Sequence, residues 1–171
     1  MNLILRICFF IFLTNEAFSH PHTFIEVKPT INIKKETIDN FNIKWIIDEM
    51  TSMMLIMELD TDANGKFDKN ENKYIFENYF SSLEKQNYYM SIYLEKKNIT
   101  IKPKNFKASI EKNRLIYSFN IENIKTLKNL KIEFFDKDLF VGMIIEKKYI
   151  KTIGLNKNKS EKIKKSVFGV D

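Results

Sequence analysis

The 171-residue chain has one cysteine, two histidines and four glycines, and each scarcity limits what the protein can be. Because the cysteine, Cys8, lies in an apolar amino-terminal segment, a domain that begins after that segment has neither a disulfide nor a thiolate metal ligand. The sequence contains no HExxH motif, no glycine-rich phosphate loop and no nucleophile motif. We therefore expect a domain that is stabilised by packing alone and is not an enzyme.

The first 19 residues predict a secretory signal peptide. Arg6 precedes an apolar run from Ile7 to Leu13, and Ala17 and Ser19 supply the small residues of a cleavage site. The run is far shorter than the roughly 20 residues that cross a bilayer. Cleavage after Ser19 predicts a periplasmic or secreted domain with no membrane span. A short membrane anchor and a buried first strand are the alternatives.

Residues 20–150 predict a single β-rich domain with an inserted pair of helices. Apolar residues nearly alternate along 23–33 and 38–47, which indicates two strands of a hairpin. Two helical patterns follow, and alternating segments return after them. This order predicts an α+β fold, in which an antiparallel, sandwich-like β domain carries a helix–EF-hand loop–helix insertion at about 49–86.

The first inserted helix, predicted over 48–59, carries Met50, Met53, Met54 and Met57 at spacings of three, four and seven residues. Clustered thioethers can bind soft copper ions. The helical spacing instead favours a packing stripe, so we expect these four side chains to face the core.

The chain carries a formal net charge of +6, and its lysines are densest at 156–166. Such a segment is able to contact anionic lipid or nucleic acid. Lysine is frequent along the whole chain, however, and a secreted protein rarely meets nucleic acid, so we expect no nucleic-acid partner. We expect the basic tail at 151–171 to be flexible.

The stretch DTDANGKFDKNE, residues 60–71, matches the EF-hand calcium loop at every ligand position. Gly65 falls where that loop turns sharply, and Phe67 is expected to anchor the loop to the domain. A chance turn rich in Asp and Asn is the alternative. Because one such loop is present, whereas calcium sensors pair two, we expect the ion to stabilise structure. The predicted Ca²⁺ ligands are Asp60, Asp62, Asn64, Lys66 through its carbonyl, Asp68 and Glu71.

The only two histidines, His20 and His22, open the predicted mature chain. The free α-amine of His20 and both imidazoles are nitrogen ligands that suit Zn²⁺, Ni²⁺ or Cu²⁺. Pro21 has no backbone N–H, which disfavours the square-planar mode that uses deprotonated backbone nitrogens. The carboxylates expected to complete this metal site are Asp48, Glu49 and Asp136.

Each residue of this second site also has a simpler role available. The two histidines can be solvated side chains near a chain terminus. Asp48 can cap the methionine-rich helix, and Asp136 can form a turn with Asp138. These alternatives remain open from the sequence.

The chain resembles a family of secreted bacterial proteins that is known as a domain of unknown function. The similarity lies in HPHTFIEV, KWIIDEMTSMML, DTDANGKFDKNE and FFDKDLFVG, in that order, and covers about residues 20–146. Members are often labelled as periplasmic components of ABC-type transport systems and are associated with nickel, cobalt or zinc. The resemblance implies a periplasmic accessory protein without an established catalytic residue. It matches the polar positions His20, His22, Asp48, Glu49 and Asp136.

The sequence therefore predicts a periplasmic metal-ion-binding accessory protein that serves a membrane metal permease or an ABC-type transporter. It would hold Ca²⁺ in the EF-hand loop and a divalent transition metal at the histidine-bearing terminus. The alternative is a non-catalytic, calcium-stabilised envelope interaction module without a transition-metal role. A copper oxidase that uses His20 needs a histidine beyond His22, and the chain has none.

Overall fold

The computed structural model describes residues 22–35, 37–122, 124–126, 128–138 and 140–154. The predicted signal peptide, His20 and most of the predicted basic tail lie outside these residues. Within them the α+β class predicted from the sequence is confirmed. In chain order the elements are β1 (Thr23–Lys34), β2 (Thr37–Ile47), α1 (Glu49–Leu59), α2 (Lys69–Ile75), a π-helical turn (Phe76–Phe80), a 3-10 segment (Ser81–Tyr89), β3 (Met90–Leu94), β4 (Lys97–Ile99), β5 (Pro103–Glu111), β6 (Arg114–Ile121), β7 (Leu130–Phe134), β8 (Val141–Ile144), a 3-10 turn (Lys147–Tyr149) and β9 (Lys151–Ile153).

The hairpin of β1 and β2 forms the centre of the larger sheet. Its strand order is β5-β6-β2-β1-β8, and β9 also pairs with β1. The pairs among β5, β6, β2 and β1 are antiparallel, as predicted, whereas β8 and β9 run parallel to β1. A smaller antiparallel sheet has the order β4-β3-β7.

Alternation along the hairpin decides which face of the larger sheet is buried. Val27 and Ile43 are fully buried, whereas their neighbours Lys28 and Lys44 are partly exposed. Successive side chains of a strand point to opposite faces, so a period of two residues gives one apolar face. Each fully buried aliphatic side chain contributes about 1.5–3 kcal/mol relative to an exposed one.

Trp45 of β2 lies in a core that both sheets share. Its ring centroid is 5.1 Å from that of Phe119 in an edge-on contact, and 6.1 Å from those of Phe80 and Tyr89. Phe80 ends the π-helical turn and Tyr89 leads into β3, so the helical insertion and the smaller sheet meet the larger sheet here. The indole Nε1 is buried and has no hydrogen-bond partner among the described residues.

Helix α1 forms where it was predicted, but its methionines do not face the core. Met50, Met53, Met54 and Met57 are 62, 60, 55 and 80% exposed. The predicted packing stripe is therefore wrong, because the helix buries its opposite face. The side chains on that face are Ser52, Leu55, Ile56 and Leu59.

Ser52 fixes this rotation of the helix. Its Oγ donates to the Ile47 carbonyl at 3.0 Å and accepts from the Leu115 N–H at 2.9 Å, and the residue is fully buried. Arg114 Nε donates to the same Ile47 carbonyl. The two bonds of Ser52 join α1 to β2 and β6, and turning the methionines inward would break them.

The helical insertion ends close to its predicted boundary at residue 86. After Ile75 it passes through the π-helical turn and the 3-10 segment, and the backbone at Asn87, Tyr88 and Tyr89 is left-handed rather than helical. Lys151–Ile153 pairs with Thr30–Asn32, so the flexible tail predicted from residue 151 does not begin there. No helix in the described ranges is long and apolar enough to cross a membrane.

We expect Trp45→Phe to destabilise the protein clearly less than Trp45→Ala. Phenylalanine keeps the aromatic contacts and gives up an N–H without a partner among the described residues, whereas alanine leaves a cavity that costs about 3–5 kcal/mol. Urea unfolding measures the destabilisation by both substitutions. Far-ultraviolet circular dichroism is the signal to monitor, because Trp45 is the only tryptophan and both variants lose tryptophan fluorescence. Equal destabilisation by the two substitutions would contradict the expectation.

Candidate metal centre

Two helices flank the loop that carries the predicted calcium ligands. Helix α1 ends at Leu59, and the backbone N–H of Asp60 donates to the Ile56 carbonyl at 2.9 Å. Helix α2 begins at Lys69, directly after its N-cap residue Asp68. Residues 60–71, called the acidic loop below, therefore run from the end of one helix into the first turn of the next.

Three carboxylates converge in the acidic loop. Asp60, Asp62 and Glu71 each place an oxygen within 4.8 Å of the other two. Asp60 and Glu71 are each only 8% exposed, whereas Asp62 is exposed. Like charges at this separation repel one another, and a hard divalent cation with oxygen ligands would relieve that repulsion.

Asp60 organises the turn of the acidic loop. Its Oδ1 accepts from the Asn64 N–H at 3.2 Å, and its Oδ2 accepts from the Gly65 N–H at 2.8 Å. Gly65 has φ of +77°, a left-handed conformation that glycine adopts without steric cost. Glycine at this position is therefore explained by the backbone of the loop.

Asn64 connects neighbouring positions of the loop. Its amide nitrogen donates to Asp62 Oδ2 at 2.6 Å, and its Oδ1 accepts from the Lys66 N–H at 2.9 Å. An amide oxygen has two lone pairs, so Asn64 Oδ1 is able to keep the Lys66 N–H and also ligate an ion.

Glu71 and Asp68 cap helix α2 reciprocally. Glu71 Oε2 accepts from the Asp68 N–H at 2.9 Å, and Asp68 Oδ1 accepts from the Glu71 N–H at 2.8 Å. Glu71 Oε1 accepts from the N–H and the hydroxyl of Thr61 at 2.7 and 2.8 Å. The hydrogen bonds from Asp68 and Thr61 hold the pKa of Glu71 below its usual value.

Thr61 is a contributor that the ligand pattern did not single out. It occupies the second position of the loop, which supplies no ligand in the EF-hand pattern. In the sequence, the only indication of its role is that it places a hydroxyl group in the same loop as the carboxylates. The structure shows that it orients Glu71.

The acidic loop is anchored to the β domain on its other side. Phe67 packs against the hydrophobic core, which confirms its expected role. Asn72 donates to the Phe67 carbonyl at 3.1 Å and accepts from the Ala108 N–H of β5 at 2.7 Å. The Tyr79 hydroxyl donates to the Glu58 carboxylate. This bond joins the π-helical turn after α2 to α1, and it raises the pKa of Tyr79 to about 12.

The second predicted site lies at the start of β1. His22 is exposed, and its N–H donates to the Phe140 carbonyl at 2.9 Å. The His22 and Phe140 rings stack with centroids 6.3 Å apart. His20 lies outside the residues that the structure describes.

Asp136 is buried on the other side of the Phe140 backbone. Its Oδ2 accepts from the N–H groups of Phe140 and Val141, each at 3.0 Å, and its Oδ1 accepts from the Asp138 N–H at 3.1 Å. The turn that was the alternative role of Asp136 is therefore present. Phe140 links this carboxylate to His22, because its N–H binds one residue and its carbonyl binds the other.

Asp48 joins β1 to α1. Its Oδ1 accepts from the Thr51 N–H at 2.9 Å as the helix N-cap, and its Oδ2 accepts from the Phe24 N–H at 3.0 Å. Burial raises the pKa of Asp48, but these backbone hydrogen bonds outweigh it and leave the pKa below the usual value. Glu49 follows as an exposed residue in the first turn of α1.

The structure brings Asp48 and Asp136 to the backbone around the start of β1, but it does not assemble a ligand set there from the described residues. In those ranges, the acidic loop provides the one group of three or more metal-binding side chains whose ligand atoms all lie within 4.8 Å. His22, Asp48, Glu49 and Asp136 are not in that group.

The fold and the acidic loop define an α+β protein with a helix–loop–helix insertion. Residues 5–166 match the model of a family described as protein of unknown function (DUF1007), and the chain belongs to that family. This confirms the expected membership in a domain-of-unknown-function family.

The chain is also similar to two bacterial proteins. It is 24% identical over 114 residues to an uncharacterized protein of Haemophilus influenzae, a match that covers 65% of this chain and 53% of the relative. It is 28% identical over 97 residues to an uncharacterized 15.5 kDa protein in the trpE 3′ region of Spirochaeta aurantia. This match covers 54% of this chain and 69% of the relative. The aligned region therefore spans about half of the Haemophilus relative. No solved structure matches the chain.

We expect Glu71→Gln to destabilise the metal-free protein in a pH-dependent way. The folded-state pKa of Glu71 lies below the usual 4.5. The ionised carboxylate therefore stabilises the folded protein at pH values above 4.5, and this stabilisation is lost as the pH falls through the folded-state pKa. Urea unfolding after metal removal should show a difference between wild type and variant at pH 7 that shrinks at about pH 3.

Glu77→Gln is the matched control for this experiment. Glu77 is exposed and pairs with Lys73 at 3.8 Å, so its charge should contribute little at either pH. A destabilisation by Glu71→Gln that is equally large at both pH values would contradict the expected role of the ionised carboxylate.

Proposed function

We propose that this protein is a periplasmic metal-binding accessory protein that holds Ca²⁺ in the acidic loop. The convergence of Asp60, Asp62 and Glu71 is the observation that carries the proposal. Ca²⁺ takes six to eight oxygen ligands, and the EF-hand pattern offers that number within this loop. The further oxygens come from Asn64, the Lys66 carbonyl and a water on Asp68.

Calcium in this loop would have a structural role. The acidic loop connects the end of α1 to the start of α2, and its carboxylates repel one another without a cation. Phe67 and Asn72 attach the loop to the β domain rather than to a second loop of the same kind. This arrangement favours an ion that fixes the two helices over one that switches them.

We further propose that the His20-Pro21-His22 segment binds Zn²⁺, Ni²⁺ or Cu²⁺. The carboxylates considered with it are Asp48, Glu49 and Asp136. Hydrogen bonds to the backbone around the start of β1 support the position of this site. Asp48 accepts from the Phe24 N–H, and Phe140 accepts from the His22 N–H through its carbonyl and donates its own N–H to Asp136. A cation near the start of β1 would meet negative charge from two parts of the chain.

The signal-peptide pattern of residues 1–19 supports the periplasmic location. The resemblance to periplasmic components of transport systems supports a partner in the membrane, either a metal permease or an ABC-type transporter. In this proposal the protein receives or passes on the transition metal and catalyses no reaction.

We expect Ca²⁺ to stabilise the wild-type protein and not the Asp60→Asn variant. At 10 mM Ca²⁺ and a Kd of about 1 mM, typical of extracellular modules, the gain is about 1.4 kcal/mol. Urea unfolding with Ca²⁺ and with EDTA measures it, and titration calorimetry gives the stoichiometry. Asp39→Asn, an exposed position in β2, is the matched control and should retain the full gain. Stabilisation that persists in Asp60→Asn would rule out the acidic loop as the site.

We expect protein that is exported with its own signal to bind one equivalent of Zn²⁺, Ni²⁺ or Cu²⁺. Mass spectrometry must first confirm His20 as the amino-terminal residue. The double variant His20→Ala/His22→Ala should lose this metal and keep the Ca²⁺ affinity of the wild type, because the acidic loop uses other ligands. Calcium binding without a transition metal at micromolar concentration would favour the calcium-stabilised interaction module instead.

A further inference from the structure

Helix α1 has a second apolar face, which points to solvent. Four of the seven methionines of the chain lie on this eleven-residue helix, and all four are more than half exposed. At about 100° per residue they span roughly 100° of the helix surface, opposite the side that Ser52 and Leu59 bury. The methionine face is defined here as Met50, Met53, Met54 and Met57.

Core packing does not explain the methionine face. The buried face of α1 uses leucine and isoleucine, and the hydrogen bonds of Ser52 to Ile47 and Leu115 prevent the helix from turning. The acidic loop does not use these side chains either. The role of these four methionines is therefore expected to depend on a property that methionine has and leucine lacks.

That property is the thioether sulfur, which is soft, polarisable and uncharged at every pH. Soft thioether ligands select Cu(I) over hard divalent ions. Residues three and four apart on a helix have Cβ atoms about 5–6 Å apart. Met53 and Met54 therefore form a triangle with Met50 on one side and with Met57 on the other, and three flexible side chains can meet above either triangle.

The charge around the methionine face also suits a cation. Residues 45–65 contain no lysine or arginine, although the chain has 28 of them. Glu49 and Glu58 lie on the same helix, and its carboxyl end leads into the acidic loop. A positive ion on α1 therefore meets negative charge and no basic side chain of this segment.

We propose that the methionine face is a thioether site for Cu(I). This site goes beyond the proposed function, because it uses sulfur ligands, a different helix face and a different ion. It needs neither the oxygen ligands of the acidic loop nor the imidazoles of His20 and His22. No oxidation or reduction is part of the proposal, since the ion binds as Cu(I).

The test is competition for Cu(I) with a chromophoric Cu(I) chelator, without oxygen and with ascorbate, on the Ca²⁺-saturated protein. At about pH 5 imidazoles, with a usual pKa of about 6.5, are mostly protonated, whereas thioethers are unchanged. We expect the wild type to bind one Cu(I) at pH 5 with nearly the affinity found at pH 7. Ag(I) is the redox-inert second probe.

Replacing all four methionines of the face with leucine separates sulfur chemistry from apolar character. Leucine keeps nearly the same volume and a high helix propensity, so the variant should fold. We expect its affinity for Cu(I) to fall at least tenfold. Met143→Leu, at a partly buried methionine of β8, is the matched control and should bind like the wild type.

Methionine methyl resonances provide a readout that does not depend on the variants. In an Ag(I) titration the four methyl groups of the face should shift, while that of Met90, which is buried, should not. Unchanged Cu(I) affinity in the leucine variant, or no binding by the wild type, would overturn the proposal and favour an apolar docking surface. Loss of Ca²⁺ or Zn²⁺ binding alone would affect only the proposed function.

Discussion

The buried hydroxyl of Ser52 is the contact on which the arrangement of α1 depends. It donates to the Ile47 carbonyl and accepts from the Leu115 N–H, so it binds the strand before the helix and a strand far along the chain. A buried hydroxyl without such partners would cost about 1–3 kcal/mol, which makes other rotations of the helix unfavourable. The direction of every other side chain on α1 follows from this one orientation.

Helix α1 connects the three candidate metal-binding regions. At about 1.5 Å per residue its eleven residues span roughly 16 Å. Asp48 caps one end beside the start of β1, Asp60 begins the acidic loop at the other end, and the methionine face lies between them on the solvent side. If the proposed metal sites are correct, the oxygen ligands of the acidic loop and the sulfur ligands of the methionine face lie at different places along this helix, which would allow ions of different hardness to bind separately.

The acidic loop illustrates how local hydrogen bonds and a metal can act on the same carboxylates. Asp68 accepts from the Glu71 N–H in the first turn of α2, Glu71 accepts from the N–H of the N-cap residue Asp68, and Asp60 accepts from two N–H groups of the turn. These bonds orient the carboxylates without a cation, which would lower the cost of ordering them if one bound. The remaining repulsion among Asp60, Asp62 and Glu71 is what a cation would remove.

The sequence by itself determined the features whose parts are close along the chain. The alternation in β1 and β2, the ends of α1 and the convergence within residues 60–71 depend on neighbours a few positions apart, so local patterns predict them. Only the tertiary structure decided which face of α1 is buried, because the helix has two apolar faces and the choice rests on Leu115, 63 residues from Ser52. The parallel pairing of β8 with β1, which places Phe140 beside His22, likewise depends on contacts more than a hundred residues apart that no local pattern encodes.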